Sequence, residues 1–246
     1  MIEGGFQARV DPQVPTDGHY RYERKFVVGE LARAEVESIL RLHPAAFSEI
    51  YQPRWVNNLY FDTAGGQSLW DNLSGVSQVR VKVRIRWYGS FEGEVDLPTL
   101  ELKVKRGMVI RKVQYPLEAF RMDPSIRIDT VRGLIRKAGI EPSMIHKLLS
   151  LELSVANRYQ RTYLLSASKK FRATVDSELR FHAIKASGGA FPGTWILAPE
   201  GILELKYDEG HELEADRITQ HLPFRISRSS KFVLGLELTR RNLGYL

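Results

Sequence analysis

Residues 79 to 88 read Val-Arg-Val-Lys-Val-Arg-Ile-Arg-Trp-Tyr, alternating apolar and basic side chains up to Trp87. In a strand, successive side chains point to opposite faces. Arg80, Lys82, Arg84 and Arg86 then share one face, and Val79, Val81, Val83 and Ile85 the other. Same-face neighbours stand roughly 6–7 Å apart. Cations in a row at that pitch repel one another unless water or an anion lies between them, and the anion we infer is a chain of phosphates. An edge strand with a solvated Lys/Arg face would show the same pattern, so the remaining segments have to decide.

Several of them repeat the abnormality. Glu23 and Lys25 share a face in a strand over 20–28, and Glu101, Lys103 and Lys105 do so over 100–106. The returning strand over 109–117 carries Arg111 and Lys112, and the one over 157–165 carries Arg158 and Arg161. Arg172, Thr174 and Asp176 line one face over 171–176, and Glu204 and Lys206 one face over 202–207. Taken singly, Glu101–Lys103 or Glu204–Lys206 reads as an exposed ion pair worth little. Together they describe a sheet whose polar face is Arg, Lys and Glu. Closing that sheet into a barrel, apolar side outward under helices, would put the charges inside. Buried charges are costly unless paired or bound to a ligand. A lumen with more cations than anions calls for a polyanion. Glu23, Glu101, Asp176 and Glu204 would pair with neighbouring Lys and Arg or hold a hard cation such as Mg²⁺ or Mn²⁺.

The elements that must position these residues follow from periodicity. Apolar stripes and stop signals predict helices from Gly29 to about Leu42, over Asp123–Gly139, after Pro142 through Leu149, over Glu212–His221 and over Ser229–Arg240, the last carrying Lys231 near its start. Further strands are expected at 55–62 and 179–184, a short helix at 68–73, and a polar turn at 90–98. Residues 1–18 read as a loose tail and 19–246 as one domain, with an α+β fold.

The 246 residues are 43% hydrophobic and 26% charged, with net charge +7, a balance that favours anionic partners. The absence of cysteine excludes disulfides, thiol nucleophiles and thiolate metal sites, and suits a reducing cytoplasm. The six histidines show no metal spacing. No apolar run approaches the roughly 20 residues of a membrane helix, and no signal-peptide core opens the chain, so a soluble cytoplasmic protein is expected.

The segments Tyr22-Glu23-Arg24-Lys25-Phe26, Lys82-Val83-Arg84-Ile85-Arg86-Trp87-Tyr88-Gly89, Leu100-Glu101-Leu102-Lys103, Leu203-Glu204-Leu205-Lys206 and Ser230-Lys231-Phe232, in this order, resemble the catalytic domain of the vacuolar transporter chaperone (VTC) family, the polyphosphate polymerase domain. That family belongs to the triphosphate tunnel metalloenzymes, and the resemblance spans about residues 20–240. It implies an eight-stranded antiparallel β-barrel, with helices outside and at the tunnel end. Carried over by position, Lys25, Arg84, Arg86, Lys103, Arg161 and Lys231 would bind the reacting phosphates, and Glu204 would hold Mn²⁺ or Mg²⁺. Lys82, Lys105, Arg111, Lys112, Arg172 and Lys206 would add phosphate contacts, with Asp176 behind them. The implied partners are ATP and polyphosphate, not nucleic acid, with a separate membrane partner compatible with the family's habits.

Two departures matter. The wider superfamily opens with Glu-x-Glu-x-Lys, whereas Arg21 stands at the first acidic position here, which favours a one-metal transferase over a two-metal hydrolase. The SPX domain and membrane helices of yeast-type members are not in this sequence. The alternatives left open are an inorganic or nucleoside triphosphatase of the same superfamily and a non-catalytic polyanion-binding module.

Overall fold

The computed structural model describes residues 21–29, 31–66, 79–106, 109–185 and 194–242. In chain order its strands are β1 (Arg21–Val27), β2 (Ser48–Asp62), β3 (Val79–Tyr88), β4 (Gly93–Val95), β5 (Thr99–Arg106), β6 (Val109–Pro116), β7 (Phe120–Met122), β8 (Glu152–Leu165), β9 (Arg172–Ala183), β10 (Ile196–Leu197) and β11 (Ile202–Asp208). Its helices are α1 (Arg33–Leu42), α2 (Ile128–Arg136), α3 (Pro142–Leu149), α4 (Glu212–Gln220) and α5 (Lys231–Asn242). One antiparallel sheet runs β1-β11-β9-β8-β2-β3-β5-β6, with β10 added to β9, while β4 and β7 form a separate ribbon.

The sheet is strongly curled. Lys103 on β5 reaches Glu23 on β1 at 3.4 Å, although five strands separate the two in the hydrogen-bonded order. The alternation in the sequence explains which way it bends. Val83, Ile85, Leu100 and Leu102 turn outward and pack with Leu59 and Phe61 under α2 and α3, whose Val131, Ile135 and Leu148 are buried there. On the other flank Phe26, Leu164, Val175, Leu203 and Leu205 face Val36 and Leu40 of α1 and Ala215 and Ile218 of α4. In α2 the buried Ile128, Val131, Leu134 and Ile135 recur at helical spacing. The charged positions are left on the concave side.

The last helix enters that concavity. Ile226 bridges Phe26, and the Ser227 N–H donates to the Lys25 carbonyl at 2.7 Å, so the chain is led in along β1. Ser230 then caps α5, its hydroxyl accepting from the Val233 N–H at 3.4 Å. Phe232 and Leu236 fill one end of the lumen against Val56, Tyr60, Val155, Tyr159 and Phe181. Tyr60 and Phe232 have ring centroids 5.5 Å apart. The lumen is therefore apolar where α5 plugs it and charged beyond.

Some boundaries differ from the sequence expectation. The strands expected at 171–176 and 179–184 are one strand, β9, bent where Glu178 takes φ 51° and the pairing with β8 slips between Arg158 and Gln160. The 90–98 turn contains β4, too short for alternation to reveal. The helix expected from Asp123 begins at Ile128, because the Asp123 side chain accepts the Ser125 N–H in a turn. Strand β2 starts at Ser48, seven residues before the expected Trp55. The expected tail and the helix at 68–73 lie outside the described residues. No helix among the described residues is long and apolar enough to cross a membrane.

Gly235 tests the plug. A Cβ there would lie 2.5 Å from Phe181 Cδ1 and 3.2 Å from Val155 Cγ2, both on fully buried side chains. Overpacking costs about 1–3 kcal/mol, offset by up to about 1 kcal/mol of helix propensity. Gly235→Ala is expected to lower Tm by a few degrees. Gly133→Ala, in open space on α2, is expected to raise it; a thermal melt of both variants reads the contrast.

Candidate active site: a cationic lumen

Strand register brings the basic positions together. Lys25 pairs with Glu204, Glu23 with Lys206, and Lys206 with Arg172. Arg161 pairs with Asp176, Arg84 with Glu101, and Lys103 with both Lys82 and Lys112. Each of these pairs keeps the two-residue step of its strand, so they form one continuous wall. Lys231, the first residue of α5, reaches the same wall from inside the lumen.

Four carboxylates organise the cations. Glu101, 3% exposed, accepts Arg84 Nε and Nη2 at 2.8 and 2.6 Å and pairs with Lys112 at 2.8 Å, with Arg86 3.8 Å away. Asp176, fully buried, accepts Arg161 Nε and Nη2 at 2.6 and 2.7 Å and pairs with the Lys231 ammonium at 2.6 Å. Glu204 stands among Lys206 at 3.2 Å, Lys231 at 3.4 Å, Lys25 at 3.6 Å and Arg161 at 3.8 Å. Glu23 pairs with Lys25 at 3.0 Å and with Lys103 at 3.4 Å. Neutral groups complete the orientation. Arg86 donates to Asn58 Oδ1 at 2.9 Å and to the Tyr159 hydroxyl at 3.1 Å, Arg84 donates to the Tyr60 hydroxyl at 3.2 Å, and Lys82 donates to Ser230 Oγ at 2.9 Å.

The electrostatics follow from that crowding. Burial alone would raise Glu101 and Glu204, but Arg84, Arg86 and Lys112 around the first, and Lys206, Lys231, Lys25 and Arg161 around the second, hold both well below the ordinary carboxylate range. Burial and the nearby Glu204 charge work upward on Glu23 and are overcome by Lys25, Lys103 and Lys206, which bring it to about 2. All three stay ionised at neutral pH. The cations are less evenly served. Lys112 is pushed down to about 8 by burial, helped by Arg86 and Arg84 and opposed by Glu101. Lys103 is lowered by burial and by Lys25 and Lys206 against the pull of Glu23. Both ammonium groups are weakened first by removal from water, and an anion beside them would favour their protonated forms.

Of the expected phosphate ligands, Lys25, Lys82, Arg84, Arg86, Lys103, Lys112, Arg161, Lys206 and Lys231 thus come together, with Arg172 at the edge beside Lys206. Lys105 keeps the step of Lys103 and pairs with Ile110 and Arg80. Arg111 pairs with Val104, one residue out of step with the Lys103–Lys112 pair. Arg158, three residues from Arg161 on a regularly paired stretch of β8, faces the other side and lies over Trp55, whose ring centroid is 4.1 Å away. Asn58, Tyr60, Tyr159 and Gln114, which donates to Glu101 at 3.0 Å, are functional neighbours that the charge pattern did not reveal. Their signal was weaker: polar or hydroxylated side chains at strand spacing from the charges. Asp176 does more than back up the wall, since it anchors both Arg161 and Lys231.

The VTC domain profile matches residues 20–240. No curated protein matches the chain. Among solved structures, the chain is similar to a Hippeastrum protein described as a candidate adenylyl cyclase with a dominant triphosphatase activity, at 14% identity over 90% of this chain and 96% of that one, TM-score 0.50. It is also similar to a protein from Pyrococcus horikoshii, at 15% identity over 89% and 99%, TM-score 0.50. A candidate adenylate cyclase from Vibrio parahaemolyticus shares 13% identity over 88% and 98%, TM-score 0.47. At 14 and 15% identity the likeness to the Hippeastrum and Pyrococcus proteins speaks for the fold alone. The profile match spans nearly the whole chain, and with it the chain belongs to the VTC domain family, with the triphosphate tunnel fold.

Proposed function

We propose that the protein is a polyphosphate polymerase, transferring the γ-phosphate of ATP to the end of a growing polyphosphate chain inside the cationic lumen. The observation that carries this is the pair of preset cation groups in one lumen: Arg84, Arg86 and Lys112 around Glu101, and Arg161 and Lys231 on Asp176. The triphosphate lies along the wall they form. A terminal phosphate oxygen of the acceptor attacks the γ-phosphorus in line, the bond to the ADP β-phosphate oxygen breaks, and ADP leaves with that electron pair. The attacking oxygen is already anionic, so no general base is required. Positioning and charge neutralisation carry the step. Arg84 and Arg161, held by two nitrogens each, fix phosphate positions through their remaining donors. The lysines act as mobile point charges. ATP and polyphosphate are the partners, and the cytoplasm is the place of action.

Among the described residues no three acidic or histidine side chains form a cation site, so a divalent cation would be shared between carboxylate and bound phosphate. Glu204 and Glu23 converge on the single Lys25 ammonium, at 3.6 and 3.0 Å. Two carboxylates beside bound phosphate are what Mg²⁺ commonly takes, and Glu204, with Glu23 beside it, would hold Mn²⁺ or Mg²⁺. Such an ion supplies further neutralisation of phosphate charge. Arg21 at the superfamily's first acidic position supports transfer over hydrolysis. Triphosphatase activity is the second reading, favoured by the activity described for the Hippeastrum relative.

Incubation with γ-labelled ATP and Mn²⁺ is expected to give a ladder of nucleotide-free chains on a gel. Label in orthophosphate alone would instead mean triphosphatase, and label left in bound ATP a binding module. Arg84→Ala leaves Glu101 its Lys112 and Arg86 partners, and Lys231→Ala leaves Asp176 its Arg161. Each variant is therefore expected to stay folded, by circular dichroism, while losing roughly 100-fold or more in turnover. Full activity in both would sink the proposal.

Lys112 sets a pH dependence. A bound phosphate raises its proton affinity from about 8, so the protonated form binds better, and affinity falls as pH rises through 8 toward 10. Titration with inorganic triphosphate from pH 7 to 9.5 is expected to show that decline. Lys112→Arg, which does not lose its charge, is expected to flatten it.

A further inference from the structure

Two residues beyond Arg86 on β3, and two beyond Arg161 on β8, stand Tyr88 and Tyr163. Between them lies Arg54 of β2, which pairs in register with Arg161. Its guanidinium carbon is 4.0 Å from the Tyr88 ring centroid and 4.9 Å from that of Tyr163, and its Nε donates to the Tyr163 hydroxyl at 3.0 Å. Tyr51 meets Tyr163 edge-on at 5.8 Å. This stack lies at the mouth of the lumen away from the α5 plug. Tyr88 is 42% exposed and Tyr51 48%.

The arrangement is unusual for a wall otherwise given to phosphates. The exposed Tyr88 and Arg54 and the half-buried Tyr163 continue the same face as the buried Arg86 and Arg161. Flat π surfaces and a guanidinium plane are what a nucleobase stacks on, at a strength that depends little on which base it is. A strand step of roughly 6–7 Å between same-face residues puts the stack just outside the first phosphate-binding arginines, where the nucleoside of a bound triphosphate has to emerge.

Resting on the reading of the lumen as a nucleoside triphosphate site, we infer that Tyr88, Arg54 and Tyr163 form a base-stacking subsite for the nucleoside at this mouth. The phosphates then run inward past Arg86 and Arg161, and the γ-phosphate points toward Lys231. Selection is for a nucleoside over a bare phosphate chain, not for one purine over another.

The test compares ATP, GTP and inorganic triphosphate binding, by calorimetry, to the wild-type protein and to Tyr88→Ala, Tyr88→Phe and Arg54→Ala. Both sites are exposed, and folding is checked by thermal melt. Tyr88→Ala and Arg54→Ala are expected to weaken ATP and GTP about tenfold, while triphosphate binding stays within twofold and Tyr88→Phe binds all three as wild type. Equal losses for all three ligands would overturn the subsite, because the residues would then act only by positioning Arg86 and Arg161. Unchanged nucleotide binding would overturn it as well. If wild-type protein binds neither ATP nor inorganic triphosphate, the lumen reading itself fails and takes the subsite with it.

Discussion

Charge burial is the constraint on which this structure depends. Glu101, Asp176 and Glu204 are almost completely removed from water, and a lone buried carboxylate would be costly enough to unfold much of the domain. Each is held among two or more cations, and the excess of cations then becomes the second problem. The fold contains it by distance and by dipoles: Arg86 is shared among Asn58, Tyr159 and the more distant Glu101, and Lys82 rests on Ser230. What remains uncompensated is the affinity for an anion. Binding strength and structural cost are thus two sides of one arrangement, and a bound polyanion should stabilise the fold by mass action.

The curl of the sheet serves that arrangement. A flat sheet with this face would be solvated, and its pairs worth little. Covering the convex side with α1, α2, α3 and α4 forces the charged side inward, and α5 then closes one end with Phe232 and Leu236. The helix that seals the lumen also supplies Lys231, so packing and site are not separable there. A shift of α5 at Gly235 moves an ammonium that sits 2.6 Å from Asp176.

Much of this was legible in the sequence because strand periodicity is a strict code. Alternation over 79–88 fixed which side of β3 would be charged, and the same step placed Glu101, Lys103, Glu204 and Lys206. The code fails where the step breaks. The bulge at Glu178 is invisible to alternation, and it makes one strand, β9, read as two. Arg111 and Lys112 are adjacent, so only one can share the register of Lys103, and composition could not choose between them. Neutral partners such as Asn58, Tyr60 and Tyr159 carry no charge to mark them. Their role arises from cross-strand neighbours far apart in the chain. The convergence of Glu23 and Glu204 on Lys25 likewise depends on β1 pairing with β11, a contact between the two ends of the described fold.

A polymerase must hold its product firmly enough to react and loosely enough to advance, and on the proposed reading the two kinds of cation divide that labour. Arg84 and Arg161 are each clamped by two nitrogens to a buried carboxylate, so their outward donors have fixed positions and define where a reacting phosphate sits. Lys103 and Lys112 lie on flexible stems, with proton affinities already lowered by burial and by other cations. They can follow a passing phosphate at little cost in lost partners, since Glu101 keeps its guanidinium when Lys112 swings away. A wall built only of clamped arginines would bind a chain in one register and resist its movement. A wall of lysines alone would attract the chain without aligning the γ-phosphorus. Arg84 on β3 and Arg161 on β8, with Lys103 on β5 and Lys112 on β6, meet both demands within one sheet.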